Sequence, residues 1–287
     1  MKIEDSISKL SKKLVAPDGK HYRSILLSDT KKIATRYKMK LREVEIAALE
    51  EEIIPEHYQR NIGTIGIEGQ SDLLASHVAI IGAGGLGGTV FEILARYGVG
   101  SITIVDFDKF EESNLNRQLL SNCENLKTKK VASAVKRGKQ INPAVEVKIY
   151  SEKLTAKNAH KIIEGADIVA DCLGGLPDRF IVEGAAKKLK IPMVHAALAG
   201  FKGQLTTIYP EDEGLRSIYG SPEKLPKWGT EAALGTPPSM VIHMASLQAH
   251  EIIKVLLGLA EPFRNKLIIV ELNDAKIKQF QLAGHAK

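Results

Sequence analysis

Residues 77–108, HVAIIGAGGLGGTVFEILARYGVGSITIVDFD, contain the pattern that decides the fold. The apolar run HVAII is followed at once by a glycine-rich turn, which predicts a buried strand entering a tight turn. The next stretch, TVFEILARYG, has helical spacing, and SITIVDFD predicts a second strand. Together these segments predict a strand–helix–strand unit with parallel strands.

The same alternation continues along the chain. It predicts helices near 128–140, 155–164 and 178–189, and strands near 145–149, 167–172 and 192–196. This order is typical of an α/β fold, here a Rossmann-like, doubly wound and mostly parallel sheet. A further strand (GQLTTIYP), a long loop over 210–238 and a helix over 239–257 follow, and two antiparallel strands with a turn at Asn273–Asp274 are predicted last.

The first 55 residues differ in composition, because they are rich in charge and poor in glycine. Helical spacing near 30–37 and 41–52 predicts a small helical N-terminal extension over residues 1–55, with a main domain over 56–287. A helix-turn-helix is one interpretation of the paired helices. We prefer a pair that packs or dimerises.

Composition restricts the class of protein. The net charge of +6 and the pI of about 9.1 suit an anionic ligand or an acidic partner protein, and they do not by themselves indicate nucleic acid. Two cysteines, Cys123 and Cys172, are too few for a disulfide framework. No signal-like core or membrane-length apolar run is evident. We therefore expect a cytoplasmic protein without membrane contact.

The glycine-rich turn has the spacing of a nucleotide site. Gly82 permits a tight turn, Gly84 lets the backbone approach phosphate closely, and Gly87 lets helix and strand pack. Asp106 ends the second strand, where a carboxylate can accept hydrogen bonds from ribose hydroxyls. A strand–helix turn without a ligand is the alternative.

The residues after Asp106 distinguish among nucleotides. Asn114, Arg117, Gln118 and Lys130 form a polar cluster that a dehydrogenase does not need. Cations close to the glycine turn would instead stabilise a triphosphate during displacement at its α-phosphorus. This pattern favours ATP over NAD or FAD.

Over residues 56–275 the chain resembles the ThiF/MoeB/HesA family, whose members are relatives of the ubiquitin-activating enzymes. The motifs that carry the resemblance are YQRNIGTIGIEGQ, VAIIGAGGLGG, IVDFDKFEESNLNRQ, INPAVEV, the DCLGGLPDR region, GQLTTIYP and SLQAHEIIKVLLG. The resemblance implies an ATP-binding adenylation domain that uses ATP and magnesium. It also implies a homodimer that adenylates the C-terminal carboxylate of a small ubiquitin-like sulfur-carrier protein, or a small acid.

The resemblance also assigns residue roles. It implies that Arg60 reaches the ATP phosphates from the neighbouring subunit and that Asp106 binds ribose. Lys130 matches the phosphate-binding lysine, and its neighbour Lys129 is the alternative. The expected catalytic residues are Arg60, Asn114, Arg117 and Lys130, and the expected nucleotide-binding residues are Gly82, Gly84, Gly85, Gly87, Asp106, Asp108 and Gln118.

Three departures from the family pattern matter. Gly174-Gly175 stands where the family has an Asp-Asn pair that helps to hold magnesium, so either Asp171 or Asp178 substitutes, or magnesium is held by ATP and water alone. The cysteine pairs of a structural zinc site are missing, so no zinc is expected. Residues 200–287 contain no cysteine, so we expect the reaction to stop at the acyl-adenylate.

Two functions remain open at this level. The first is an adenylyltransferase that releases pyrophosphate, and the second is a non-catalytic nucleotide-binding or scaffolding homologue, suggested by Gly174.

His195 ends a strand on the ligand side of the sheet, where a satisfied core histidine is more common than a substrate contact. Cys172 ends the preceding strand and is expected to be an inert packing residue.

Overall fold

The structure is a computed structural model that describes residues 2–226 and 229–282. The strands are β1 (Lys12–Val15), β2 (His21–Ile25), β3 (Ile53–Pro55), β4 (His77–Ile81), β5 (Ser101–Val105), β6 (Glu146–Tyr150), β7 (Ile168–Asp171), β8 (Met193–Ala199), β9 (Lys202–Ile208), β10 (Lys266–Glu271) and β11 (Lys276–Gln281).

The helices are α1 (Ile3–Leu10), α2 (Leu27–Tyr37), α3 (Leu41–Glu50), α4 (Gln59–Ala75), α5 (Gly85–Tyr97), α6 (Lys130–Ile141), α7 (Ala159–Ile163), α8 (Leu176–Leu189), α9 (Arg216–Tyr219), α10 (Glu231–Leu234) and α11 (Pro238–Leu257). Short 3-10 turns occupy Glu56–Tyr58, Glu112–Asn114 and Pro222–Lys224.

An eight-stranded sheet in the order β11-β10-β9-β8-β7-β4-β5-β6 forms the centre of the molecule. The strands from β8 to β6 pair in parallel, whereas β9, β10 and β11 pair antiparallel. The predicted Rossmann-like fold with antiparallel C-terminal strands is confirmed. The sequence order of β4, β5 and β7 places the topological switch point at the carboxyl end of β4, where ligands of such sheets bind.

Both faces of the sheet are covered by helices. Alternate residues of β4 face opposite layers: Val78 and Ile80 pack into the cluster that contains α5 and α11, whereas Ala79 and Ile81 pack with α7 and α8. Strands buried on both faces need continuous apolar runs, which explains why HVAII is apolar throughout.

One helix is apolar and long enough to resemble a membrane span. By length and composition α11 could cross a bilayer, with a mean hydropathy of 1.3 in its most apolar window. However, 56% of that window is buried, and the helix packs on α5, β8 and β9. A core helix of a globular protein has the same properties, so this observation is weak evidence for a membrane.

The N-terminal extension contains more than the predicted helices. Helices α2 and α3 occupy the expected segments, but β1, β2 and β3 add a three-stranded sheet that the sequence analysis did not predict. In this sheet β1 and β2 are antiparallel and β3 runs parallel to β2. The predicted helix over 41–52 therefore ends earlier, at Glu50, and the apolar residues that follow pair as a strand.

A buried polar contact joins the extension to the main sheet. Tyr58 is fully buried and donates a hydrogen bond to Glu45 Oε2 (3.1 Å), while its hydroxyl accepts one from Asn142 Nδ2 (2.8 Å). Burial and the Glu45 carboxylate raise the pKa of Tyr58 well above its ordinary value. Gly98 lies under the ring, and a Cβ there would come within 2.6 Å of Tyr58 Cε1. Glycine is therefore required at position 98.

We predict that Tyr58→Phe lowers the free energy of unfolding by about 1–3 kcal/mol, because Glu45 and Asn142 would keep buried polar atoms without partners. Urea denaturation measures the change. Tyr22→Phe is the matched control, since the Tyr22 hydroxyl meets Glu56 at 3.3 Å in a partly exposed place and should contribute less than about 1 kcal/mol. Equal losses in both variants would contradict the prediction.

Candidate active site

The glycine turn between β4 and α5 is closed by direct backbone contact. Gly82 has a φ of +101°, and a Cβ there would lie 2.7 Å from the Cys172 carbonyl oxygen. A Cβ at Gly87 would lie 1.7 Å from the Gly82 carbonyl oxygen. Only glycine permits this approach, and the result is that the N-terminus of α5 presents its free N–H groups at the switch point.

Asp106 holds this turn from the neighbouring strand. Its Oδ2 accepts a hydrogen bond from Ala83 N and its Oδ1 accepts one from Asp108 N, each at 2.8 Å. The carboxylate thus fixes the backbone on both sides of the site. It is half-buried at the carboxyl end of β5, the position at which a ribose ligand is expected.

Lys130 lies against the same loop. It begins α6, is 6% exposed, and places its Nζ 3.1 Å from Asp108 Oδ2. The neighbouring Lys129 instead donates to the Phe107 carbonyl at 2.8 Å. Of the two lysines, Lys130 is therefore the one whose ammonium group pairs with a carboxylate of the predicted set. Its role toward phosphate stays a prediction.

The segment 114–118 packs over the glycine turn. The Asn114 side-chain oxygen accepts a hydrogen bond from Glu111 N, which closes the 3-10 turn. A Cβ on Gly85 would lie 3.4 Å from the Arg117 carbonyl oxygen, and one on Gly84 would lie 3.9 Å from Gln118 Nε2. The backbone of Arg117 and the side chain of Gln118 are therefore brought to the glycine turn, whereas the Arg117 guanidinium donates to the Ser113 carbonyl and to Asn116 Oδ1.

Gln118 carries an unsatisfied polar atom at this place. The residue is 6% exposed, and its Oε1 has no hydrogen-bond partner among the described residues. A buried oxygen without a donor is costly, so this atom is available to accept a hydrogen bond from a bound group. Together with the free N–H groups of α5, this atom makes the turn suited to a nucleotide.

A groove opens beside Arg117. It has a volume of about 740 Å³ and is bounded by the β8–β9 turn, the segment before α11 and the β10–β11 turn. Its lining residues are Asn116, Arg117, Ala199, Gly200, Phe201, Lys202, Leu234, Gly235, Thr236, Pro237 and Asn273. Small residues and backbone form much of the wall. Two cationic side chains, Arg117 and Lys202, also line the groove.

Arg60 lies elsewhere in the chain's own fold. It is exposed on the first turn of α4, two residues after Tyr58, which packs on Gly98 and Asn142 just before β5 and β6 begin. This is the edge where the parallel strands start, opposite to the glycine turn. Within one subunit the structure does not bring Arg60 to the site, so a role in catalysis requires a second subunit and stays a prediction.

The two aspartates considered for magnesium differ in environment. Asp171 is fully buried, and its Oδ2 accepts hydrogen bonds from Arg179 (3.0 Å) and His195 (2.7 Å). Burial opposes ionisation, but Arg179 and His195 outweigh it and hold the pKa of Asp171 below its ordinary value. Its carboxylate is thus occupied. Asp178, half-buried on the first turn of α8, makes no ion pair among the described residues.

Magnesium bound with substrate phosphates needs only one or two protein carboxylates. Asp171 is not free for that role, which leaves Asp178 as the remaining candidate, and its role stays a prediction. The described residues contain no cluster of three or more metal-ligating side chains. The expectation about zinc stays a prediction.

The reactive-looking side chains at the strand ends are structural. His195 is fully buried with both ring nitrogens bonded, which confirms the interpretation as a satisfied core histidine. Cys172 is buried, and burial raises the pKa of its thiol well above the ordinary value, which agrees with an inert packing residue. Cys123 is exposed on the loop before α6.

Residues that sequence reasoning missed also shape the site. Arg179 is 4% exposed and bonds Asp171 together with the carbonyls of Leu173 and Ala196. Val241, at the start of α11, would meet a Cβ on Gly85 at 2.8 Å. Of these two residues, only Arg179 could have been found from the sequence. It lies on a helix eight residues after Asp171, which ends a strand, and an arginine at that spacing can reach the carboxylate.

The similarity to known proteins covers the main sheet and its helices. The ThiF family matches residues 58–287. The chain belongs to the ThiF family. Its ThiF relatives include the SAMP-activating enzyme E1 of Haloferax volcanii, 34% identical over 224 residues, which cover 76% of this chain and 82% of that protein. The sulfur carrier protein adenylyltransferase of Thermus thermophilus is 34% identical over 238 residues, covering 80% and 87%.

The ThiF fold is also found in solved structures. E. coli MccB with ATP superimposes with a TM-score of 0.67 at 19% identity, covering 89% of this chain and 80% of MccB. At that identity the likeness concerns the fold. The family and its named relatives make this ThiF chain an enzyme of the adenylyltransferase type, as expected from the motifs.

Two glycine variants should separate packing from ligand binding in this ThiF turn. Gly87→Ala forces a Cβ against the Gly82 carbonyl and should lower stability by about 2 kcal/mol or more. Gly84→Ala has room, since its nearest neighbour lies 3.9 Å away, and should fold normally but weaken nucleotide binding, because the backbone must approach phosphate closely there.

Thermal melting with and without ATP measures both effects. Gly84→Ala should keep the melting temperature of the free protein and lose most of the rise that ATP causes. An undiminished rise with ATP in Gly84→Ala would contradict the placement of phosphate at this turn.

Proposed function

We propose that this chain uses ATP to adenylate the C-terminal glycine carboxylate of a ubiquitin-like sulfur-carrier protein, with release of pyrophosphate. A small-molecule acid is the second candidate substrate. The observation that carries the proposal is the groove that ends at Arg117, beside the glycine turn. It gives an acid substrate a route to the place where the α-phosphate of a nucleotide would lie.

Groups already described support the proposed position of the nucleotide. In the proposal the phosphates lie at the N-terminus of α5, where free N–H groups and the helix dipole favour an anion. Ribose lies beside Asp106, and Lys130 contacts the phosphates from the start of α6. Gln118 Oε1 then acquires the hydrogen-bond donor that it lacks within the described structure.

The groove can accept an extended peptide end. Ala199, Gly200 and Gly235 line it, so a peptide main chain can approach the backbone of the wall closely. Arg117 supplies positive charge for the terminal carboxylate, whereas Lys202 is paired with Glu271 at 3.0 Å. Because the groove is open to solvent, a protein tail can enter it while the rest of that protein stays outside.

The chemistry requires little from side chains. A terminal carboxylate has a pKa near about 3.5 and is already ionised at neutral pH, so no general base is needed. Its oxygen attacks the α-phosphorus in line, a new carboxyl–phosphate bond forms, and the bond to the bridging oxygen breaks as pyrophosphate leaves. Arg117, Lys130 and the Arg60 of a second subunit would neutralise the leaving charge. The contribution of Arg60 requires a second subunit, so a homodimer is part of the proposal.

Two further points belong to the proposal. Magnesium carried by ATP would screen the phosphate charge, with Asp178 as its candidate protein ligand. The acyl group of the adenylate passes to a thiol or amine of another molecule and AMP leaves, because residues 200–287 contain no cysteine that could take it. The name of the relative from Thermus thermophilus, a sulfur carrier protein adenylyltransferase, supports a sulfur carrier as the acid substrate.

ATP–pyrophosphate exchange tests the proposal. With a small carrier protein that ends in Gly-Gly, the wild-type chain should exchange labelled pyrophosphate into ATP. Lys130→Ala should lower the exchange rate on the order of 100-fold, because one cation that stabilises the leaving phosphates is lost.

Lys129→Ala is the matched control, since its ammonium group is bonded to the Phe107 carbonyl, and it should keep the exchange rate within about 2-fold. A carrier that lacks its last glycine should not support exchange. ATP binding without exchange for any carboxylate would instead favour a nucleotide-binding homologue.

A further inference from the structure

Five buried or half-buried polar side chains meet where β7 and β8 end. They come from separate elements: Asp171 ends β7, Arg179 lies on α8, His195 on β8, Gln204 on β9 and Tyr219 on α9. Asp171 and His195 are fully buried. We call this set the strand-end clasp. None of its side chains is needed for the adenylation chemistry described above.

The hydrogen bonds of the clasp run in one direction. Gln204 Nε2 donates to the Tyr219 hydroxyl, which in turn donates to His195 Nε2 at 3.0 Å. His195 Nδ1 donates to Asp171 Oδ2 at 2.7 Å. Because the ionised Asp171 carboxylate can only accept, Nδ1 carries the proton, and Nε2 of the neutral ring then accepts from tyrosine. Two further donors approach the ring nitrogens: Arg179 Nη1 lies 3.1 Å from Nδ1, and Gln204 Nε2 lies 3.4 Å from Nε2.

The charges of the clasp are consistent with that order. Arg179 neutralises Asp171 inside the protein, with Nη1 3.0 Å from Oδ2. Burial and the neighbouring Arg179 outweigh the Asp171 carboxylate and hold the pKa of His195 below its ordinary value. This direction favours the neutral imidazole. Burial raises the pKa of Tyr219 to about 12, which keeps its hydroxyl protonated as the donor.

The clasp stands at the base of an overhanging hairpin. The pairing of β7 with β8 stops at Asp171↔His195. Beyond it, residues 196–199 of β8 pair only with β9, up to Ala199↔Lys202. The tip of this hairpin, residues 199–202, forms one wall of the groove beside Arg117. Its direction relative to the sheet is therefore set where His195 is held.

The other side of the clasp reaches the glycine turn. Cys172 follows Asp171 directly, and its carbonyl oxygen is the atom that a Cβ on Gly82 would meet at 2.7 Å. One set of hydrogen bonds thus connects the backbone beside the nucleotide turn with the strand that carries the groove wall. The distance between the two substrates depends on this connection.

We propose that Tyr219 and His195 are positioning residues that hold the β8–β9 hairpin so that the acid substrate in the groove meets the α-phosphate in line. The inference rests on the proposed adenylation function. In a reaction that depends on alignment, a shift of about 1 Å at the hairpin tip costs on the order of 100-fold in rate.

Tyr219→Phe tests the proposal because it keeps the ring and removes only the hydroxyl. In pyrophosphate exchange with a Gly-Gly carrier, the KM for the carrier should rise, and kcat fall, each on the order of 10-fold. The KM for ATP should stay within about 2-fold, since the glycine turn keeps its own contacts. Gln204→Leu, which removes the donor to Tyr219, should act in the same direction more weakly.

Tyr209→Phe is the matched control. It deletes a hydroxyl from a half-buried ring directly after β9, with the Arg264 guanidinium 4.7 Å from the ring centre, and should leave both KM values and kcat unchanged. Changed carrier kinetics in this control equal to those of Tyr219→Phe would overturn the proposal. So would normal carrier KM and kcat in a folded Tyr219→Phe variant.

A structural readout separates this inference from the proposed function. Nitrogen-15 NMR of wild type should show His195 as the Nδ1-protonated tautomer, and Tyr219→Phe should shift its Nε2 resonance, because that atom loses its donor. The opposite tautomer would overturn the clasp even if exchange is active. A wild type with the expected tautomer but no exchange on any carboxylate would overturn the proposed function and, with it, the positioning role.

Discussion

The contact between Gly87 and the Gly82 carbonyl is the constraint on which the rest of this structure depends. The helix α5 can start directly at the end of β4 only because no Cβ stands between these two backbones. That start aims the helix N-terminus at the switch point of the sheet. Asp106 then fixes the turn from β5, and the loop that carries Arg117 and Gln118 packs onto it. Anion binding at this place is a consequence of backbone geometry.

The sheet was predictable because its determinants are local. Strands buried on both faces are apolar throughout, as HVAII is, and their helices keep a 3.6-residue spacing. The small N-terminal sheet was missed because β1 and β2 have only four and five residues and show no apolar alternation, and β1 is mostly exposed. A signal existed in Pro17-Asp18-Gly19, a turn sequence that joins the two strands.

The candidate site was predictable in part for the same reason. Its glycines, Asp106 and the segment 114–118 follow each other closely along the chain, so spacing alone brings them together. The groove and the strand-end clasp combine residues from distant segments: Tyr219 meets His195 across 24 positions, and Asn273 faces Arg117. No sequence period encodes such contacts, because they arise from the order of strands in the sheet. The position of Arg60 at the opposite edge is likewise a property of topology.

The pairing of Lys130 with Asp108 shows how the site can hold a cation ready for a triphosphate. The lysine stem is buried, which restricts where the ammonium group can go, whereas the Asp108 side chain is 47% exposed. A solvent-exposed carboxylate contributes only about 0–1 kcal/mol to such a pair. A triphosphate beside α5 would present more negative charge and several oxygen acceptors, so it competes easily for Lys130. Asp108 therefore orients the lysine in the free protein without opposing its transfer to phosphate.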